Sequence, residues 1–179
     1  MPLPEAYKLN EVFSAAEIAQ RVQCLAAEID ACYAELSASE ITLVCVLRGA
    51  CVFYADLLRA LQMPARLDFL QAASYVGNQS SGNLHISKDI GDIAGQHVLL
   101  VEDIVDTGFT MQLLLQRLQE RQPASLKLCT LLDKAAARKY EVPVDFVGFT
   151  VPEKFLVGYG MDYNDSFRGL PYIGELILS

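Results

Sequence analysis

The sequence predicts an α/β fold in which a parallel sheet is flanked by helices. Three segments predict strands of one sheet: residues 98–101 are an unbroken apolar run typical of a strand buried on both faces, Ile41–Leu47 is a second buried-strand run, and residues 126–132 are a further strand. Segments with apolar residues at helical spacing lie between them, as in sheets whose parallel strands are joined by helices. A chain of 179 residues, 53% of them hydrophobic, can bury one substantial core. We therefore predict a single domain over residues 1–179.

The first half of the chain supplies two helices and two strands of this fold. Ser14 and Glu17 have the spacing of a capping box, and the apolar residues that follow predict a long helix. Its buried face is predicted to contain Ile18, Val22, Leu25, Ile29 and Leu36. The strand Ile41–Leu47 ends in a glycine turn, which begins a second helix over about residues 51–61. Pro64 breaks that helix, and alternation predicts a strand over residues 67–73.

Two later segments do not follow the alternation of strands and helices. Residues 74–88 are polar, contain two glycines and show no helical or sustained strand period. A polar loop of this length in a compact domain is usually functional or disordered, and a merely solvated hairpin is the alternative. After an apolar run at 144–149, residues 151–172 are rich in aromatic residues, glycine and proline. They predict short strands and loops, and their composition favours a packed cap with the aromatic rings in its core.

Charge and cysteine content exclude several classes of partner. The formal net charge is -8, so the chain lacks the basic face of proteins that bind nucleic acids or anionic membranes non-specifically. No apolar run approaches membrane-spanning length, and the first residues show no signal-peptide pattern. The five cysteines have no CxxC spacing and are typical of reduced thiols. We expect a cytoplasmic protein with no nucleic-acid and no membrane partner.

The most informative segment is VLLVEDIVDTGFT, residues 98–110. Glu102 and Asp103 follow the apolar strand directly, at the carboxyl edge where open α/β sheets bind ligands. Residues 106–110 form a strand-to-helix turn whose unpaired N–H groups, hydroxyls and glycine suit a phosphate. Acids beside a phosphate site indicate a phosphorylated sugar, whose hydroxyls donate to the carboxylates, with a divalent cation balancing charge. An ordinary helix cap is the alternative reading.

This segment resembles the 5-phosphoribosyl 1-diphosphate signature of the type I phosphoribosyltransferases. Four more stretches resemble the hypoxanthine-guanine members in the same order: Leu47-Arg48-Gly49-Ala50; Ser74-Tyr75 with Ser81-Gly82 and Lys88-Asp89; Asp133-Lys134; and PEKFLVGYGMDY with FRGLPYIG. The resemblance implies the type I phosphoribosyltransferase fold, a central parallel sheet flanked by helices with a small hood formed by the N-terminal segment and about residues 151–179. It also implies Mg2+-dependent purine salvage, in which hypoxanthine or guanine receives the phosphoribosyl group at N9 and pyrophosphate leaves.

The resemblance carries family roles to single residues by position. The ribose phosphate would be bound by Glu102, Asp103, Asp106, Thr107, Gly108, Phe109 and Thr110, with Asp106 also facing purine N7 as the catalytic base. The purine would be bound by Lys134 at O6, by the stacking ring of Phe155, and by Leu156 and Asp162. Pyrophosphate would be held by Arg48, Gly49 and Arg168, and magnesium by Glu102, Asp103 and Asp162. A cis peptide is implied between Leu47 and Arg48.

The reaction also gives the polar loop a role. Water would intercept the ribose cation that develops during transfer, so a mobile cover is needed, and residues 74–88 with Ser74, Tyr75 and Lys88 supply it. Two positions depart from the family pattern. Phe109 stands where many relatives carry a long polar residue, and Arg48 stands where others have lysine. The family is usually dimeric or tetrameric, which implies a homo-oligomer.

Two other functions use parts of the same pattern. A transferase for another base is one, because the ribose-phosphate signature is shared among bases; Lys134 with Phe155 disfavours adenine and orotate, and xanthine stays open. A non-enzymatic regulator that binds nucleotides or RNA on the same fold is the other, and the acidic charge argues against it. A dinucleotide-binding protein is disfavoured because no GxGxxG follows any strand.

Overall fold

The computed structural model of the chain describes residues 6–74 and 84–178. Strands and helices alternate through most of this part of the chain. Its elements are β1 (Tyr7–Phe13), α1 (Ala15–Glu35), β2 (Ile41–Leu47), α2 (Cys51–Ala60), β3 (Ala65–Ser74), β4 (Leu84–Lys88), β5 (His97–Val105), α3 (Phe109–Gln119), β6 (Ser125–Asp133), β7 (Phe146–Thr150), β8 (Leu156–Val157) and β9 (Ile173–Leu178). No helix among these residues is long and apolar enough to span a membrane.

The larger sheet has the strand order β4-β3-β2-β5-β6-β7. All of its pairs are parallel except β3 with β4, which confirms the predicted α/β fold with a mainly parallel sheet. β5 lies between β2 and β6, and the carboxyl ends of these three strands meet at one edge. The three segments that the sequence assigned to strands, β2, β5 and β6, therefore occupy the interior of the sheet, as their apolar composition predicts.

Successive residues of β5 face two different cores. Leu99 and Val101 belong to a cluster with buried residues of α1 and α2, whereas Val98 and Leu100 belong to a cluster with α3. All four side chains are fully buried. Because neighbouring strand residues point to opposite faces, a strand covered on both sides needs apolar residues at every position. β5 is thereby fixed on both faces, and its carboxyl end is a rigid support.

The smaller sheet joins the two ends of the described chain. Its order is β1-β9-β8, and both pairs are antiparallel. We call this sheet, together with residues 151–172, the hood. Tyr159, Met161 and Ile173 of the hood belong to the same core cluster as α1, and Phe13 stacks on Phe149 of β7 with ring centroids 4.0 Å apart. The hood is thus packed on the carboxyl side of the main sheet through apolar contacts.

Helix α1 begins as the sequence predicts and ends earlier. Ser14 and Glu17 form the capping box, in which each side chain bonds the other residue's backbone N–H. Leu36 was predicted on the buried face but is the C-cap, with 43% of its surface exposed. Tyr33 takes the place in the core, and its hydroxyl donates to the Val98 carbonyl at 3.1 Å. The helical period does not extend to Leu36 because α1 stops at Glu35.

Three further predictions about elements need correction. Residues 84–88 were assigned to a loop, yet they form β4, which pairs antiparallel with β3. Glu102 and Asp103 were placed after the strand, but β5 continues to Val105 because its pairing with β6 continues to Asp133. β1 was not predicted as a strand, although the resemblance implied a hood that includes the N-terminal segment. The centre of the predicted loop, residues 75–83, lies outside the described residues.

Candidate active site

A cavity of about 250 Å³ lies at the carboxyl edge of the main sheet. Its walls come from the end of β2, the last residues of β5 and the first turn of α3. The predicted site residues among its lining are Gly49, Glu102, Asp103, Asp106, Thr107, Gly108, Phe109 and Thr110. Parallel strands that end at one edge bring these separate segments together. Arg48 and Lys134 are not among the residues that line this cavity.

The turn between β5 and α3 is held from outside by the segment after β6. Gly108 has φ +89° and is the N-cap of α3, and a Cβ there would lie 2.7 Å from the Tyr140 carbonyl oxygen. The Thr107 carbonyl accepts the backbone N–H groups of Lys139 and Tyr140 at 2.9 and 3.0 Å. The Phe109 ring packs on Tyr140, with centroids 4.9 Å apart. The turn is rigid, and the amino end of an 11-residue helix adjoins the cavity.

Two adjacent carboxylates stand at the end of β5. Glu102 is buried, and burial together with the neighbouring Asp103 raises the pKa of its carboxyl. The Asp103 carboxylate accepts the Ile104 N–H at 2.9 Å and lies against Gly49, where a Cβ would overlap its oxygen. Only glycine permits this approach at position 49, so the turn after β2 sits directly on the β5 acids. The Leu47-Arg48 peptide that precedes it is cis, as the resemblance implied.

Lys134 and Asp106 form an ion pair at the end of β6. Nζ of Lys134 lies 3.0 Å from Oδ2 of Asp106, and the two side chains are 10% and 50% exposed. The Lys134 backbone N–H donates to the Val105 carbonyl at 3.0 Å, which continues the pairing of β5 with β6. A nearly buried ammonium therefore has one carboxylate partner that faces solvent on its other side.

The hood residues form a second polar group. Arg168 pairs with Asp162 at 2.7 Å and donates to the Gly160 carbonyl at 2.8 Å. Nη1 of Arg48 lies 3.3 Å from Oδ1 of Asp165, and both side chains are largely exposed to solvent. This contact brings the turn after β2 and the hood together. Phe155 is 52% exposed, and Leu156 is buried in β8. The Phe155 ring meets Tyr163 edge to face, with centroids 5.6 Å apart.

The predicted metal ligands are not assembled in advance. Within residues 6–74 and 84–178 no three histidine, cysteine or acidic side chains are grouped as a metal ion would require. Glu102 and Asp103 are adjacent, whereas Asp162 is engaged by Arg168. Of the predicted cover, Tyr75 lies outside the described residues, and Ser74 ends β3. Lys88 ends β4, where its Nζ donates to the Phe69 carbonyl at 2.7 Å.

The structure adds residues that the sequence analysis did not single out. Tyr140 supports the turn of residues 106–110, which we call the phosphate-type turn. Gly160 contacts Gly49. Arg138 forms an ion pair with Asp133 next to the turn. The sequence signal for Gly160 is the Gly-x-Gly pair that it forms with Gly158. In the structure both glycines have a positive φ, which favours glycine. The other contacts depend on strand order and have no local signal.

Comparison with known proteins identifies the family. Residues 8–164 match the model of the phosphoribosyl transferase domain. The chain belongs to the phosphoribosyltransferase family. It is 48% identical over 162 residues to the hypoxanthine-guanine-xanthine phosphoribosyltransferase of Tritrichomonas foetus, covering 89% of this chain and 87% of the relative. It is 46% identical over 165 residues to the hypoxanthine phosphoribosyltransferase of Escherichia coli K12, covering 91% and 92%.

Solved structures of family members have the same fold. A hypoxanthine-guanine phosphoribosyltransferase from Bacillus anthracis superposes with a TM-score of 0.87 at 34% identity, over 96% of this chain and 100% of that one. A structure of the Trypanosoma cruzi hypoxanthine phosphoribosyltransferase gives a TM-score of 0.89 at 35% identity, over 99% and 95%. That structure was determined in a study of the role of the C-terminal region of the Trypanosoma cruzi enzyme in its oligomeric state and enzymatic activity.

The support of the turn by Tyr140 predicts the effect of a side chain at Gly108. Gly108→Ala places alanine at a positive φ, which costs about 1–2 kcal/mol, and also against the Tyr140 carbonyl. Gly95 has φ +68° with open space around it, so Gly95→Ala carries the backbone cost alone. Urea unfolding of both variants should show a larger loss of unfolding free energy for Gly108→Ala. Equal losses would contradict the close contact at Gly108.

Proposed function

We propose that this phosphoribosyltransferase transfers the phosphoribosyl group of 5-phosphoribosyl 1-diphosphate to N9 of hypoxanthine or guanine and releases pyrophosphate. The Lys134–Asp106 ion pair beside the phosphate-type turn carries this proposal, because it sets a donor and an acceptor next to the sugar site. The names of the relatives support the same base, since those described above act on hypoxanthine, on hypoxanthine and guanine, or additionally on xanthine.

The sugar phosphate fits the cavity from the turn to the β5 acids. The first N–H groups of α3 and the hydroxyls of Thr107 and Thr110 surround the place of the 5-phosphate, and Phe109 contributes its amide. Glu102 and Asp103 lie where a ribose placed on that phosphate would present its hydroxyls, which donate to carboxylate oxygens. Backbone amides hydrogen-bond the phosphate without a basic side chain, which agrees with the excess of acidic over basic residues in this chain.

The base fits between the ion pair and the hood. Lys134 donates to the O6 carbonyl of the purine, and Asp106 accepts the N7 proton as the general base. The half-exposed ring of Phe155 is available to stack on the purine. The Leu156 backbone and Asp162 recognise the opposite edge of the base. Leu176 holds this segment in place by donating its N–H to the Phe155 carbonyl at 2.9 Å.

Magnesium fits the donor set of this site. Mg2+ is usually bound by one or two carboxylates together with substrate phosphates and water, so three preassembled protein ligands are not needed. Glu102 and Asp103 would hold one ion through the ribose hydroxyls, and Asp162 would hold another at the diphosphate. When bound, the metal offsets the negative charge that develops on the leaving group.

The remaining roles follow from charge development. Breaking the bond from C1' to the diphosphate leaves positive charge on the ribose and negative charge on pyrophosphate. Arg168 and Arg48, with the backbone of Gly49, hold the departing diphosphate, because both guanidinium groups lie where the hood meets the turn after β2. Ser74, Tyr75 and Lys88 belong to the cover that excludes water. We further propose that the enzyme is a cytoplasmic homodimer or homotetramer.

The first test measures pyrophosphate release with hypoxanthine, guanine, xanthine and adenine in magnesium. Hypoxanthine and guanine should be good substrates. Adenine should be worse by about 10⁴-fold or more in kcat/KM, because its amino group faces the Lys134 ammonium donor to donor. Xanthine turnover decides the third base, which the 48% identical relative makes a specific candidate. Excess chelator should abolish release. Adenine within tenfold of hypoxanthine, or full turnover in chelator, would contradict the proposal.

The second test removes the proposed base. Asp106→Ala should lower kcat by about 10²–10⁴-fold, while affinity for 5-phosphoribosyl 1-diphosphate changes little, because the turn amides remain. Asp92→Ala is the matched control, since the Asp92 carboxylate accepts the Ala94 N–H at 3.1 Å in the loop before β5, at the opposite end of the sheet. Steady-state kinetics and equilibrium binding separate the two quantities. Equal losses of kcat and affinity would assign Asp106 to binding alone.

A further inference from the structure

The diphosphate end of the site is assembled from two separate parts of the fold. Arg48 and Gly49 belong to the turn between β2 and α2, whereas Asp162 and Arg168 belong to the hood. The two parts meet at Gly160, which has φ +104° and on which a Cβ would overlap the Gly49 carbonyl oxygen. Gly160 is also bonded to Arg168 twice, since it accepts from the guanidinium at 2.8 Å and donates to the Arg168 carbonyl at 3.0 Å. The position of Gly160 therefore decides where Arg168 lies relative to Gly49.

Tyr159, the residue before Gly160, connects this backbone contact to α2. Its side chain is buried, and its hydroxyl donates to Oδ2 of Asp56 at 2.6 Å. Asp56 lies on α2, the helix that begins directly after the Arg48–Gly49 turn. Tyr159 also donates its N–H to the Leu170 carbonyl at 2.8 Å, so its backbone is fixed within the hood. Burial and the Asp56 carboxylate raise the pKa of Tyr159, which keeps the hydroxyl a donor.

We propose that the Tyr159–Asp56 hydrogen bond positions the hood against α2 and thereby sets the spacing of the diphosphate-binding groups. Tyr159 and Asp56 act on the diphosphate through Gly160 and Arg168 and not by direct contact, so both are positioning residues. The inference rests on the proposed function, because it assumes that Arg48, Gly49 and Arg168 bind diphosphate. Its distinguishing consequence is selectivity: the constants for diphosphate ligands should change more than the KM for hypoxanthine. Lys134 and Asp106 directly follow β6 and β5 and do not depend on this bond, and Phe155 and Leu156, although they lie in the hood, are held by β9.

Tyr159→Phe removes the hydroxyl and retains the buried ring. We expect the KM for 5-phosphoribosyl 1-diphosphate and the inhibition constant of pyrophosphate each to rise about tenfold, because small misplacements of binding groups are costly. The KM for hypoxanthine should rise clearly less, by no more than about threefold, because Asp162 is the one proposed purine contact that is joined to Arg168. Tyr33→Phe is the matched control: this hydroxyl is also buried and donates to the Val98 carbonyl at 3.1 Å, near the amino end of β5. It should lower stability and leave all three constants unchanged.

A second variant approaches the same bond from its acceptor. Asp56→Ala leaves the core ring intact and should reproduce the rise for diphosphate ligands. The double variant should show no further rise, because both changes remove one interaction. Arg59→Ala removes the ion pair of Arg59 with Asp56 at 3.4 Å but keeps the Tyr159 bond, and it should behave as the parent. Asp56→Ala also decides the question if Tyr159→Phe does not fold.

The outcomes separate this inference from the proposed function. Suppose that the parent turns over normally but Tyr159→Phe or Asp56→Ala leaves the KM for 5-phosphoribosyl 1-diphosphate and the inhibition constant of pyrophosphate unchanged. This result would overturn the positioning role and leave the proposed function standing. A parallel rise in the hypoxanthine KM would also overturn it, because the effect would then be a general loss of structure. A parent that releases no pyrophosphate with any purine would overturn both the proposed function and this inference.

Discussion

The ion pair between Lys134 and Asp106 is the interaction on which the site depends. A buried ammonium without a partner is strongly unfavourable, and here one carboxylate satisfies it at 3.0 Å. The partner is half exposed and stands at the start of the turn that adjoins the cavity. In the proposed function, a 6-oxopurine takes over this arrangement: its carbonyl oxygen accepts from Lys134, and its N7 proton goes to Asp106. The same two groups therefore hold each other before the base binds and hold the base afterwards.

The geometry of this pair comes from the register of β5 and β6. Val105 pairs with Asp133, so the residues that follow the two strands are neighbours although they are 28 positions apart in the chain. β5 is rigid because both of its faces are packed in a core. Glycines make the next connections possible, since Gly49 lies on the Asp103 carboxylate and Gly160 on the Gly49 backbone. A side chain at either glycine would separate the turn after β2 from the acids or from the hood.

The sequence predicts the centre of this structure better than its edges. β2 and residues 98–101 of β5 are apolar at almost every position, and β6 is mostly apolar, so a local pattern is sufficient where burial is two-sided. β1 has no such pattern, and its partner β9 lies at the other end of the chain. β4 likewise depends on pairing with β3. The functional segment could be predicted because its residue types and order are specific, whereas the contacts of Tyr159 with Asp56 and of Gly160 with Gly49 require the tertiary fold.

The most direct test of this account is the base preference of Lys134→Ala. Removing the only donor assigned to O6 should lower kcat/KM for hypoxanthine and narrow its ratio to that for adenine by about 10²-fold or more. Lys127→Ala is the control, because Lys127 is also on β6 and ion-paired, with Asp145 at 2.9 Å, but lies near the opposite end of the strand. It should keep the parent ratio. If Lys134→Ala loses activity while the ratio of hypoxanthine to adenine stays at the parent value, Lys134 does not select the base and the account is wrong.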